Sequence, residues 1–379
     1  MGSKRQYQRH LKLVYGNPEL NTSSEGPSRA FTIDTYAGRG LRVTFKASRN
    51  NRGEPDRCTI EIYNLPETLR NSLKLDLEAQ RLARAEAQKA FAETPDGIVE
   101  VSDERRARNL REISDAFRVN LFVGYGPDAT DLTLLFRGDL LDVQPNVRRG
   151  GVETITRIKL GDTLLALRDG YMRQSFGAGA NLAGVIEGAA RAAALDVDAG
   201  SKVLISQILP NAVTTKVANG WVAAGRVGDT ITELIDQFGL QWWVREGTIY
   251  FAAQGATLDD FALQFTEGVD ILDYAETGVY DDIRARVLLN PDVVPGRGVR
   301  LRMRNTAAGR SASTFATAFE DFGYRIDQAD YQGDTHGPAW WADFLGAGAD
   351  SRILAPSGEF THSDFTTDDV IAELERERA

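Results

Sequence analysis

At 379 residues the chain is longer than a single hydrophobic core ordinarily serves, so two or three packed units are expected. Its 42% hydrophobic and 26% charged content excludes global disorder, and 17 Phe, 11 Tyr and 5 Trp supply large surfaces for cores and contacts. A balance of 44 Lys+Arg against 54 Asp+Glu leaves a net charge of -10, which argues against general affinity for nucleic acid or anionic membrane, and the single cysteine, Cys58, excludes an intrachain disulfide and any multi-cysteine metal site.

The opening residues are basic, but no apolar run follows them and none elsewhere approaches the length of a bilayer span, so neither export nor membrane insertion is expected; synthesis in a reducing cytoplasm fits the cysteine usage. Residues 1–30 mix Lys, Arg, Asn, Ser, Gly and Pro, which reads as an extended arm that needs a partner to order. From Phe31 the pattern alternates: Leu41, Val43 and Phe45 share one face, and Cys58, Ile60 and Ile62 another, predicting two antiparallel strands and making Cys58 a small buried hydrophobe rather than a nucleophile. Residues 67–117, rich in Ala, Leu, Glu, Arg and Gln, read as a helical hairpin broken by TPDG at 94–97, with Leu75, Leu82 and Phe91 on a narrow apolar stripe of its first arm. Strand patterns resume in VNLFVGYG, LTLLFRGDLLDVQP and GGVETITRIKLGD and complete a first β-barrel-like domain over 31–170, interrupted by that hairpin.

Residues 171–255 read as an α+β unit: NLAGVIEGAARAAALDV and VGDTITELIDQFGL are helical, the second with Asp229 suited to its N-cap and Gly239 to its C-cap, and QWWVREGTIYFAA is a hairpin turning at Glu246-Gly247. A second β-barrel-like domain over 256–349 follows from DIRARVLLN, GVRLRMR and FGYRIDQADYQGD, and an acidic tail, 350–379, ends in a short amphipathic helix with Val370, Ile371 and Leu374 on one face. The fold class is therefore mainly β: two barrel-like domains joined by a small α+β unit, with a helical-hairpin insertion.

Candidate chemistry is sparse. His10, His336 and His362 stand apart with no HExxH-like pairing, Asp334 and His336 in GDTHG fit a capped turn better than a ligand pair, and FGAGANLAG misses the dinucleotide spacing. LDVDAG lacks the remaining ligands of a calcium loop, and acid pairs such as Asp281/Asp282 are expected by chance in so acidic a chain. No catalytic, cofactor or metal site is assigned. The most informative polar pattern is GVRLRMRN, which sets Val299, Leu301 and Met303 on one face and Arg300, Arg302 and Arg304 on the other; in an acidic chain this face suits contact with an acidic protein neighbour rather than stable nucleic-acid binding. Together with Val370, Ile371 and Leu374, these arginines are the candidate protein-interface residues.

Several phrases in order resemble the baseplate hub proteins of contractile-tailed bacteriophages, a family related in fold to the hub part of type VI secretion spike proteins: GLRVTFKASRN followed by CTIEIYNLPETLR, LFVGYG, LLFRGDLLDV, TRIKLGDTLLALRDGYMRQSFGAGANLAGVI, NGWVAAGRVGDTITELIDQFGLQWWVREGTIYF, VLLNPDVVPGRGVRL and GDTHGPAWWADF. The insertion and the acidic tail depart from that pattern. The resemblance implies a non-enzymatic structural protein of the virion tail baseplate, a homotrimer whose paired barrels form a pseudo-sixfold ring, adapting the tail tube protein to the central spike protein. It also implies contacts with baseplate wedge proteins and a channel for DNA and the tape-measure protein. The chain's negative charge would keep such a lumen from holding DNA. Two other readings stand beside it: a carbohydrate- or receptor-binding tail module, from the Trp242/Trp243 and Trp340/Trp341 pairs, and a cell-wall hydrolase component, from Asp281 and Asp282.

Overall fold

The computed structural model describes residues 8–16, 30–36, 39–51, 55–92, 112–113, 117–126, 132–149, 153–162, 171–178, 182–193, 195–202, 221–236, 240–253, 257, 262–267, 269–277, 282–304 and 319–348. The chain is mainly β, as its alternating patterns predict. The first strands are β1 (Arg9–Tyr15), β2 (Phe31–Tyr36), β3 (Val43–Asn50), β4 (Arg57–Tyr63), β5 (Val119–Tyr125), β6 (Thr133–Arg149) and β7 (Glu153–Gly161). Later come β13 (Ala262–Thr266), β14 (Ile271–Thr277), β15 (Asp282–Leu288), β16 (Gly298–Arg304), β17 (Phe319–Asp334) and β18 (Trp340–Gly348). These form one 13-stranded sheet in the order β14-β15-β18-β17-β3-β4-β7-β6-β5-β1-β2, with β13 and β16 branching from β17.

Two long strands organise the sheet. β18 occupies one edge of β17, while the other edge is shared, β16 taking Phe319–Arg325 and β3 taking Gln328–Asp334. The bulge between Ile326 and Gln328 lies where one partner gives way to the next. β6 is divided likewise between β5 and β7. The pairing of β3 with β17 joins the two β-rich stretches of the sequence directly. Inward residues at period two make a single core, among them Phe45, Ile60, Leu121, Ile158, Leu301 and Phe344. Phe45 lies so close over Gly333 that a Cβ at 333 would overlap its ring, which explains a glycine in mid-strand there.

The extended arm predicted at 1–30 needs correction, because residues 9–15 are β1, hydrogen-bonded to both β2 and β5. Leu11, Leu13 and Tyr15 are buried by the same alternation that defines the other strands. The predicted insertion begins with α1 (Glu67–Ala92); its second arm falls almost wholly outside the described residues. α1 lies against β6 through Leu73 and Leu77, along with the buried polar side chains of Asp76, Gln80 and Arg84, and Asp76 accepts the Tyr15 hydroxyl at 3.0 Å. Leu75 and Leu82 of the narrow apolar stripe lie on the opposite side, each being 62% exposed. The sheet-facing side thus joins Leu73 and Leu77 of the core to polar side chains that find partners on Tyr15 and the backbone of β6, where Arg81 donates to the Leu141 carbonyl at 3.2 Å.

The α+β unit comprises β8 (Tyr171–Phe176), α2 (Leu182–Ala192), β9 (Asp196–Val197), β10 (Trp221–Arg226), α3 (Val227–Asp236), β11 (Leu240–Arg245) and β12 (Thr248–Ala253). Val185, Ile186, Val227, Ile231, Trp242, Ile249 and Phe251 make its own core, separate from that of the large sheet. The hairpin turn is where the sequence puts it, with φ of 55° at Glu246 and 84° at Gly247. α3 starts two residues before Asp229, so this carboxylate sits in the first turn, favourable to the helix dipole, rather than at the cap; Gly239 lies outside the described residues.

Candidate assembly surface

The outward positions of β15, β18, β17, β3, β4, β7 and β6 form a continuous polar face. One row runs Leu288, Trp341, Gln332, Lys46, Thr59, Lys159 and Asp142; beside it run Arg286, Asp343, Asp330, Ser48 and Arg57. Charges on this face mostly cancel in cross-strand pairs. Arg286 holds Asp343 through two bonds, of 2.7 Å and 3.1 Å, and stacks over Trp341 at 4.7 Å. Arg157 meets Glu61 at 2.7 Å and Lys159 meets Asp142 at 3.4 Å. Between Lys46, Ser48, Arg57, Thr59 and the acids Asp330 and Asp343 the face sinks into an open groove of about 340 Å³.

The arginine strand is β16. Val299 and Leu301 are fully buried, as the alternation requires, and Arg300 is half-buried. β16 is an interior strand: Arg300, Arg302 and Arg304 stand opposite Gly323, Asp321 and Phe319 of β17, and Arg300 and Arg302 also opposite Gln264 and Thr266 of β13. Its backbone is therefore committed on both edges, leaving the side chains as its means of contact. Val370, Ile371 and Leu374 lie outside the described residues.

Sequence reasoning missed the polar junction between the large sheet and the α+β unit. Arg49, 2% exposed, donates to the Leu135 carbonyl at 2.6 Å, faces Asp56 at 3.5 Å and Glu246 at 3.8 Å, and lies over the rings of Phe136 and Tyr331. Asp162 accepts the Glu246 amide at 2.7 Å, which fixes the hairpin turn to the end of β7. Burial pushes the Asp56 carboxyl well above its ordinary range, with Arg49 opposing the shift and Asp162 adding to it. Burial likewise pushes the Tyr331 phenol up to about 12. Nearby, Asn51 bridges Gln241 of the unit at 3.3 Å and Asp327, at the bulge of β17, at 2.9 Å. Asp327 also holds Arg325 at 2.6 Å. Nothing in the local sequence marks this junction, since Arg49, Asp56, Asp162 and Glu246 are spread along the chain.

The GDTHG segment is a capped turn. Asp334 accepts the His336 amide at 2.9 Å and the Arg42 guanidinium at 2.7 Å, Thr335 receives the Val43 amide at 3.0 Å, and Arg9 donates to the carbonyls of Asp334, Gly337 and Pro338. Partial burial would raise the Asp334 carboxyl, but hydrogen bonds from Arg42 and from the amides of His336 and Gly337 outweigh it and hold the group below its usual range. Trp242, Trp243 and Trp340 are buried, Trp242 donating to Thr232 at 3.2 Å and Trp243 stacking on Tyr250 at 6.0 Å. Cys58 is 1% exposed and its thiol is pushed up by burial, as a core position predicts. Asp198 caps the helical turn at 199–202 by accepting the Ser201 amide at 2.7 Å. Among the described residues no three His, Cys, Asp or Glu converge as metal ligands, and no helix is long and apolar enough to cross a membrane.

No family model matches the sequence, and no curated protein does. Solved structures similar to this chain include a 43 kDa tail protein of prophage MuSo2 from Shewanella oneidensis (TM-score 0.47, 8% identity, 89% of this chain and 98% of that one). A tail protein from Neisseria meningitidis is similar at TM-score 0.46 and 10% identity, over 92% and 99% of the two chains. The E. coli c3393 protein, described as a type VI secretion component with structural similarity to the T4 bacteriophage tail proteins gp27 and gp5, gives TM-score 0.44 and 9% identity over 83% and 78%.

Proposed function

We propose that this chain is a structural protein of a contractile phage tail and serves as its baseplate hub. Three copies close into a ring that adapts the sixfold tail tube to a threefold central spike, with wedge proteins outside it and a channel within for DNA and the tape-measure protein. Its place is the virion tail, and its work is assembly and passage rather than chemistry.

The observation that carries this reading is the large sheet with open ends. Among the described residues β2 and β13 each pair with one strand only, β1 and β16, and β14 pairs along its length with β15 alone, apart from a single bridge between Ile271 and Glu267. An unpaired strand edge presents a row of free N–H and C=O groups, and a sheet that ends this way is readily continued by a strand of a neighbouring molecule. A contact between unlike edges propagates head to tail and terminates only by closing a ring. The two β-rich stretches, joined through β3 and β17, would each supply one such contact, so that three chains offer six. The charge-compensated outer face suits a surface past which DNA moves without being held.

Electron microscopy of the purified chain mixed with tail-tube protein tests this. The expected images are threefold rings with a central opening, seated on tube ends. Tubes whose ends stay bare at saturating chain concentration would remove the hub assignment.

A further inference from the structure

The junction between the large sheet and the α+β unit holds more acid than base. Asp56 and Asp162 continue the paired ends of β4 and β7, where Arg57 stands opposite Gly161, and the Asp162 amide donates to the Asp56 carbonyl at 2.9 Å. The register therefore sets the two acids directly opposite each other, an arrangement in which Cβ atoms lie about 5 Å apart. Each of the two residues is only 4% exposed. Around them stand Arg49 of β3, Tyr331 of β17, Arg245 at the end of β11 and Glu246 in the turn that follows it.

Arg49 cannot serve both acids. Its Nη2 donates to the Leu135 carbonyl at 2.6 Å and lies 3.8 Å from Glu246, while its Nε stands 3.5 Å from Asp56 without making a hydrogen bond. Arg245, half-buried, lies over the Tyr250 ring at 4.9 Å and acts on Asp56 only through its field. Asp162 is the better served carboxylate, since it accepts the Glu246 amide at 2.7 Å, whereas Asp56 accepts the Asn50 amide at 3.2 Å. Two carboxylates side by side out of water do not both stay ionised beside one guanidinium. The geometry makes Asp56 the one that keeps a proton, and burial acts on it in the same sense, with Arg49 opposing and Asp162 adding to the effect.

We propose that the junction is a hinge locked by one proton: with Asp56 neutral the α+β unit is held against the sheet, and release of that proton, which leaves Asp56, Asp162 and Glu246 around the Arg49 guanidinium, loosens it. The lock acts at the bond that ties the hairpin to the end of β7, because repulsion from an ionised Asp56 falls on the carboxylate that accepts the Glu246 amide. A carboxyl held above its ordinary value in the folded chain contributes fully to stability below that ordinary value, near pH 4, and the contribution is lost as pH rises through the raised one. The attachment therefore weakens toward alkaline pH. The inference does not depend on the hub assignment, since it concerns one chain alone.

Asp56→Asn keeps an acceptor for the Asn50 amide and cannot ionise, so comparing it with the wild-type chain isolates the proton. Denaturant titrations of the two full-length proteins between about pH 4 and pH 9 give their unfolding constants. Relative to the variant, the wild-type constant should rise about tenfold per pH unit across the window in which the folded chain alone holds the proton, the slope of a single proton. Over the same window the protection of the Glu246 amide against hydrogen exchange, corrected for the intrinsic pH dependence, should fall in the wild-type chain and not in the variant. NMR of the Asp56 carboxyl carbon needs no variant: it should still report the neutral form where exposed carboxyls have ionised. A ratio of unfolding constants that does not change with pH, a Glu246 amide indifferent to that window, or an Asp56 carboxyl that titrates in the ordinary range would overturn the proposal.

Discussion

In the large sheet, strands far apart in sequence lie side by side: β17 pairs with β3, and Arg49 stands opposite Ala329. In the α+β unit most of the pairing is local, β11 with β12 across a two-residue turn, and β8 and β10 bracketing α2. The sheet therefore bears a heavy loop-closure cost that only its extensive core can offset, whereas the unit assembles from near neighbours around a smaller core of its own. Where they meet, the contact is polar, through Arg49, Asp56, Asp162 and Glu246 and through Asn51 and Gln241. Separate cores with a hydrogen-bonded junction imply two bodies that can lose order separately, with an orientation between them set by directional bonds.

The largest expected effect comes from the sheet core. Phe45→Ala leaves a cavity between β3, Gly333 and Trp340, whose ring lies 5.9 Å from that of Phe45, and should cost about 4 kcal/mol. In a denaturant titration it should lower the midpoint of the sheet's transition while the tryptophan signal of Trp242 and Trp243 keeps its own. A common shift of both would erase the distinction between the bodies. Arg49→Met breaks the junction itself: with Asp56 and Asp162 left buried without their cation, about 3 kcal/mol should be lost. Hydrogen exchange at the Glu246 amide should quicken well before that in β4.

Ile231→Val, in the core of the unit, should cost about 1 kcal/mol and move only the transition reported by Trp242 and Trp243. The smallest effect concerns the turn at Asp334. Because the folded state holds this carboxyl below its unfolded value, its contribution to stability is complete above the ordinary carboxylate range, near pH 4, and is lost as pH falls through the lowered folded value. Asp334→Asn should accordingly lower stability at neutral pH, where that contribution is complete, and flatten the acid limb, the two curves converging as pH falls through the lowered folded value. An unaltered acid limb would mean that Arg42 and the turn amides do not favour the ionised form.

Much of the sheet was legible because one buried face imposes period two, and β3, β4, β5, β15 and β16 carry that signature openly. The same rule read less well where composition obscured it. In β1 the alternation of Leu11, Leu13 and Tyr15 is interleaved with Lys12 and surrounded by polar residues, so it looked like an arm. In α1 the stripe of Leu75 and Leu82 points away from the sheet, while Leu73 and Leu77 enter the core beside the buried Asp76, a mixed face that composition did not mark. The junction was not legible at all, since a charge buried by residues distant in sequence is indistinguishable, in the sequence, from one in solvent. Of the candidate interface residues, Arg300, Arg302 and Arg304 were correctly placed on a strand, but one that the pairing makes interior.

The most direct test of the assembly reading is the solution mass of the purified chain by light scattering, alone and then with tail-tube protein. The account predicts a closed species of three chains, formed at once or on addition of the tube protein. A chain that stays monomeric in both would contradict it.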